Sequence, residues 1–198
     1  MRHALALIAT LVMTMPAAAE KISLGEISRY LNSFKTASGE FTQINADGTI
    51  STGQIYIKRP GRVRFEFNPP ARTLVVADGD TVGVIEGRGN TQPEAYPLHR
   101  TPLKIILARN VDFSRARMVT GHSSDGQSTI VRAQDPDNPE YGNIELVFTG
   151  TPTELRQWVI NDGSGNKTTV VLGELNKGVQ LANEQFVIPG KGNSVSDR

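Results

Sequence analysis

The chain has 198 residues, 38% of them hydrophobic, with 21 Lys and Arg against 20 Asp and Glu and no cysteine. That length fits a single domain able to bury a core without disulfides. The near-neutral balance argues against a dedicated nucleic-acid binder, whose affinity would rest on a basic excess.

Met1-Arg2-His3 leads into an apolar run from Ala4 to Met15 and then into Pro16-Ala17-Ala18-Ala19, ahead of Glu20-Lys21. A basic start, a short apolar core and a small-residue end read as a cleaved secretory signal over 1–19, leaving one domain over 20–198. The run falls short of the roughly 20 residues a membrane-crossing helix needs. Without Arg2 the mature charges stand at 20 of each sign. With no cysteine to carry a lipid anchor, the mature chain is expected to be free in solution, outside the cytoplasm.

Ser23 and Glu26 have capping-box spacing, and Leu24, Ile27, Leu31 and Phe34 follow at helical spacing. They predict a short amphipathic helix. From Gly39 the period changes to two. Strands are predicted over Phe41–Asn45, Gly53–Lys58, Arg62–Asn68, Thr73–Ala77, Val82–Ile85 and Gln92–Tyr96. Thr101 as cap, Pro102 at the first position and the stripe Leu103, Ile106, Leu107 then predict a second helix over Pro102–Arg109. Strands resume over Arg117–Gly121, Thr129–Gln134, Ile144–Phe148, Leu155–Asn161, Thr168–Gly173 and Gln185–Ile188, joined by turn-rich connectors such as Asp78-Gly79 and Asp162 to Asn166. The polar end, 190–198, is expected to fray.

So many strands with so few helices imply one large antiparallel sheet whose apolar face must be covered. It either folds into a sandwich or curls around a cavity with the helices as a lid. Periodicity alone does not choose.

Catalytic constellations are sparse. His99 and His122 are the histidines beyond the signal, each in a loop-like stretch and neither at metal-ligand spacing from another. Gly87-Arg88-Gly89 lacks the third glycine and following helix of a dinucleotide motif, and Asp162 to Asn166 lacks the distal acid of a calcium loop. Asp135 to Glu140 reads as a solvated bend. No metal, cofactor or enzymatic activity is expected.

Arg59 stands apart. Ile55, Ile57, Val63, Phe65 and Phe67 share its odd parity. If alternation survives the Pro60-Gly61 turn, a charge lies on the apolar face. Burying it unpaired would be expensive, so from the residues alone a rim or surface arginine is the ordinary expectation.

Ile57-Lys58-Arg59-Pro60-Gly61-Arg62-Val63-Arg64-Phe65-Glu66-Phe67-Asn68-Pro69-Pro70 resembles the signature of the outer-membrane lipoprotein carrier family, the LolA proteins. Gly39-Glu40-Phe41-Thr42-Gln43, Gly53-Gln54-Ile55-Tyr56, Val76 to Thr81, Thr101-Pro102-Leu103, Phe186 to Pro189 and Val195 extend the resemblance in order along the chain. It implies an incomplete antiparallel β-barrel, here a curved sheet of about eleven strands, closed by a helical lid around an apolar cavity. That cavity would be lined by Ile55, Ile57, Val63, Phe65 and Phe67 from the sheet, and by Leu24, Ile27, Leu31, Leu103, Ile106 and Leu107 from the lid.

The resemblance also implies that Arg59 matches the family's functional arginine, which hydrogen-bonds to the lid and holds it shut until cargo enters. It implies a monomeric periplasmic carrier with three kinds of partner: acylated lipoproteins as cargo, an ATP-driven lipoprotein-releasing transporter in the inner membrane, and a receptor lipoprotein at the outer membrane. The family often has Phe at the position of Val63 and an aromatic pair where this chain has Gly83 and Ile85, so fewer rings are expected in the cavity. Alternatives are an envelope lipoprotein sensor of the same half-barrel fold, which generally carries a second domain, and a lipid-binding protein with other cargo.

Overall fold

The computed structural model describes residues 20–87, 92–114 and 117–190. The segment 1–19 expected to be a signal, residues 88–90 of the expected glycine turn, Val195 and the rest of the tail from 191 onward lie outside the described residues.

Helix α1 spans Leu24–Asn32 and begins where the spacing placed it, with Ser23 Oγ accepting from Glu26 N at 3.2 Å. Ile27, Ser28, Tyr30 and Leu31 form its buried face. Strands β1 Thr36–Ile44, β2 Ile50–Lys58, β3 Arg62–Phe67, β4 Leu74–Asp78, β5 Thr81–Ile85 and β6 Glu94–Pro97 follow as an antiparallel meander. A 3-10 turn at Leu98–Arg100 precedes helix α2, which is confined to Leu103–Ile106. The longer helix expected over Pro102–Arg109 does not form. Pro102 takes the capping position of α2, and Thr101 instead closes the preceding 3-10 turn, its hydroxyl donating to Leu98 O at 2.9 Å.

The second meander comprises β7 Val119–Ser124, β8 Ser128–Gln134, β9 Gly142–Thr149, β10 Glu154–Asp162 and β11 Lys167–Leu172. β11 then pairs with β1, Phe41 opposite Leu172 and Ile44 opposite Thr169, which joins the two meanders into one sheet. A two-residue strand β12, Asn176–Lys177, adds to the other end of β1. Among the described residues the order is β6-β5-β4-β3-β2-β1-β11-β10-β9-β8-β7, with β6 and β7 as unjoined edges. The barrel is therefore incomplete. Its β6 edge is short, fully exposed and ends in Pro97, features that discourage pairing with another chain.

The expected terminal strand over Gln185–Ile188 is absent. Asn183–Phe186 is a 3-10 turn, and Phe186 and Ile188 pack on the convex face against Val76, Leu74 and Ile85. Lys58 Nζ donates to Leu181 O at 2.6 Å and Arg64 to Gln185 O at 3.0 Å, fixing this segment across β2 and β3. Gly83 and Ile85 are on that convex face as well, since Val82 on the same strand turns inward. The missing aromatic pair thus removes no ring from the interior.

The main core fills the concave side and joins the sheet to both helices. Phe67, Phe41, Phe65 and Trp158 run through it edge to face, with centroids 5.0, 5.2 and 6.3 Å apart in turn. Gly53 makes this possible, because a Cβ there would lie 2.7 Å from Phe41 Cε1. A bulge between Leu155 and Gln157 resets the alternation of β10, so that Leu155 and Trp158 are both buried.

Candidate functional site: a lidded cavity and its buried arginine

Alternation does survive the turn at Pro60-Gly61. β2 and β3 pair Ile57 with Val63 and Lys58 with Arg62, so Arg59 opens a three-residue loop on the inner side. It is no rim residue: its exposure is 6%. The guanidinium donates to Leu31 O, to Phe34 O at 2.7 Å and, at 3.4 Å, to Ala108 O. Leu31 lies in the last turn of α1, where carbonyls have no intrahelical donor and the helix dipole favours a cation. Ala108 closely follows α2. One side chain of the barrel thus holds the ends of both helices.

The surrounding backbone repeats the connection. Arg59 N donates to Lys35 O, and Gly61 N to Leu107 O, both at 2.8 Å. The segment beyond α2 is tied to α1 in turn: Asn32 exchanges two hydrogen bonds with Val111, and Phe113 N donates to Ser28 Oγ at 2.9 Å. The helices and this segment act as one lid. Lys104 of α2 pairs with Asp135, holding that carboxyl at about 2, well below the usual range. At the far end Ile22 N donates to Thr129 Oγ1, and His122, which is on β7 rather than in a loop, lies 2.9 Å from Ile22 O. His99 sits in the 3-10 turn before α2.

Below the lid lies a cavity of about 620 Å³. Phe65, Val75, Val82, Trp158, Ile160, Val170 and, at the end of β6, Pro97 line it from the sheet, and Thr101, Pro102 and Leu103 from the lid. Polar groups fringe it: Gln43, Glu140, Tyr141, Asp162 to Ser164 and Thr168, with Arg100 stacked 5.6 Å from the centre of the Tyr141 ring.

Of the residues read from the sequence as cavity-lining, Phe65 and Leu103 border this space. Leu31, Ile57, Ile106 and Leu107 instead surround a void of about 20 Å³ beside Arg59. Ile55, Val63 and Ile27 are buried in the core, and Leu24 and Phe67 are half-buried against it. With the lid seated, α1 occupies much of the concave side. Val75, Val82, Trp158, Ile160, Val170 and Tyr141 escaped the sequence reading. The strand residues among them carried period-two signals, but nothing in one strand says which of its faces looks inward, and Tyr141 sits in a 3-10 turn at the end of the stretch that reads as a solvated bend.

Among the described residues no group of three or more His, Asp or Glu side chains could hold a metal, and no helix is long and apolar enough to cross a membrane. A family model described as outer membrane lipoprotein carrier protein LolA matches residues 32–189. The chain belongs to the LolA family. That match runs from the end of α1 to the segment seated on the convex face. An outer-membrane lipoprotein carrier protein of Neisseria meningitidis serogroup B is 26% identical over 183 residues, covering 89% of this chain and 87% of its own. The carrier of the same name from Chromohalobacter salexigens is 24% identical over 198 residues, covering 95% and 93%. A solved LolA superfamily protein from Nitrosomonas europaea overlaps 83% of this chain and 94% of its own at a TM-score of 0.44 and 11% identity.

Proposed function

We propose that this LolA-family chain is a periplasmic carrier, not an enzyme, that takes acylated lipoproteins released from the inner membrane and delivers them to the outer membrane. Residues 1–19 would be the cleaved export signal and 20–198 the carrier domain. An ATP-driven transporter would load it, and a receptor lipoprotein would unload it. The observation that carries this reading is the apolar cavity under a lid whose two helices are gripped by the buried Arg59.

Each methylene exposed to water costs about 0.8 kcal/mol, so three acyl chains cost roughly tens of kcal/mol and cannot cross an aqueous space bare. A carrier must hide them and still surrender them to a membrane. A lid that resists opening meets both needs, because part of the gain from burying lipid goes into breaking lid contacts. The cavity's size supports this coupling. At roughly 30 Å³ per methylene, taken as the volume share of a water molecule, 620 Å³ holds about twenty carbons, or one chain. Three chains require α1 and α2 to move, and the Arg59 bonds to break.

The test is to purify the protein from its native periplasm and analyse it by mass spectrometry, alongside a release assay with spheroplasts. Co-purifying acylated proteins and release of newly made lipoproteins are the expected results. A protein that neither carries nor releases them is no lipoprotein carrier.

A further inference from the structure

Among the described residues, two buried side-chain nitrogen donors have no acceptor in the protein: Nε of Arg59 and Nε1 of Trp158. Both side chains are more than nine-tenths buried, with exposures of 6% and 1%. Both border the 20 Å³ void beneath the lid, and Trp158 also lines the large cavity, so the two spaces share this residue in their walls. An N–H stranded in this way is costly, and native proteins rarely leave one without a function.

The charge on Arg59 has no ionic partner: it meets three carbonyls and the Phe34 ring, 5.6 Å from Cζ, and no described carboxylate forms an ion pair with it. Burial alone pulls its pKa below the ordinary arginine value, yet a guanidinium stays protonated. The rest of the void's wall is apolar, including Leu31, Phe34 and Ile57. A buried cation with only neutral partners in an apolar wall is a seat for an anion.

We infer that the cavity takes a single-chain carboxylic acid, a long-chain fatty acid by class, with its carboxylate inward on Arg59 Nε and Trp158 Nε1 and its hydrocarbon along the larger space. One carboxylate oxygen accepts from each nitrogen. The capacity of about twenty carbons, at roughly 30 Å³ each, matches one such chain. The void itself is about the size of one water, so the acid must push a lid carbonyl off the guanidinium as it seats. It therefore competes with the lid for Arg59. This inference rests on the hydrocarbon-cavity reading above and adds a ligand that enters polar end first, whereas a lipoprotein must leave its polypeptide outside.

The experiment compares palmitate with hexadecanol, equal in chain length but uncharged, by calorimetry and by fluorescence of Trp158, the single tryptophan. Delipidated protein should bind palmitate at least about tenfold more tightly. Trp158→Phe, read by calorimetry, changes the wall for both chains and should weaken palmitate several-fold more than hexadecanol, and Arg59→Leu should erase the preference. Should Arg59→Leu not fold, the two ligands and Trp158→Phe decide by themselves. Equal binding of both ligands, or a preference as large in Trp158→Phe as in the wild type, overturns the carboxylate seat while leaving the hydrocarbon cavity standing. Binding of neither overturns both.

Discussion

Ile188 Cγ2 fills the space that a side chain on Gly83 would need: a Cβ built there lies 2.5 Å away. The glycine is thus the socket in which the C-terminal segment seats on the convex face, beside Phe186 and Val76. Gly83→Ala should cost about 1–3 kcal/mol by overpacking, and Ile188→Ala should recover part of it in the double variant. Denaturant melts of the four proteins measure the cycle. Strictly additive losses would show that the two positions do not share this space. Lipid uptake should stay unchanged, since both side chains are outside the cavity.

Arg59→Leu should fold and load cargo but deliver it poorly. Hydrogen bonds to a charged group contribute about 1.5–3 kcal/mol, and removing a buried charge offsets part of their loss. With the lid no longer gripped, opening it consumes less of the gain from burying lipid, and the cavity holds cargo too well. Transfer from loaded carrier to acceptor membranes measures this, and wild-type transfer by the variant would contradict the latch.

Phe65→Glu should cripple uptake far more than Glu66→Ala. Phe65 lies edge-on to Phe41 and borders the cavity, so a carboxylate there would be buried without a partner. Glu66 is outside, in an ion pair with Arg64 at 2.6 Å and 43% exposed, where loss costs about 1 kcal/mol or less. Phe65→Ala controls for folding, at a cost of about 3–5 kcal/mol. Matching defects for the two substitutions in the release assay would refute the facing of β3.

Acid should loosen α2. The hydrogen bond from Lys104 lowers Asp135 from 3.8 to about 2. A depressed carboxyl adds stability that is present above its unfolded value and is lost as pH falls through its folded one. The window is therefore between 3.8 and about 2. Because Lys104 is 33% exposed, solvent screening limits the effect to about 1 kcal/mol. Asp135→Asn should be the weaker protein at neutral pH, and the gap to wild type should shrink as pH falls through this window, by urea melts at each pH. A constant gap between them would exclude this pair as the cause.

Local pattern determined much of this molecule. The cap at Ser23, the alternating strands and the shared parity of Ile57, Arg59 and Val63 depend on the chain's own period, and each holds in the structure. The same logic misled over Gln185–Ile188. Phe186 and Ile188 alternate like a strand, but a strand also needs a free edge to pair with, and this segment lies flat on a sheet face instead. It also placed Arg59 at a rim, because sequence does not reveal that three lid carbonyls wait for its guanidinium.

The cavity belongs to tertiary structure. Period two sorts a strand's residues into two sets without saying which set faces in, and the bulge at Leu155/Gln157 changes the sorting within β10. Pairing of β1 with β11, far apart in the chain, turns Val75, Trp158 and Val170 toward one space and leaves Gly83 and Ile85 outside. Alternation is set between neighbouring residues, whereas the inside of a curved sheet is set by which distant strands meet.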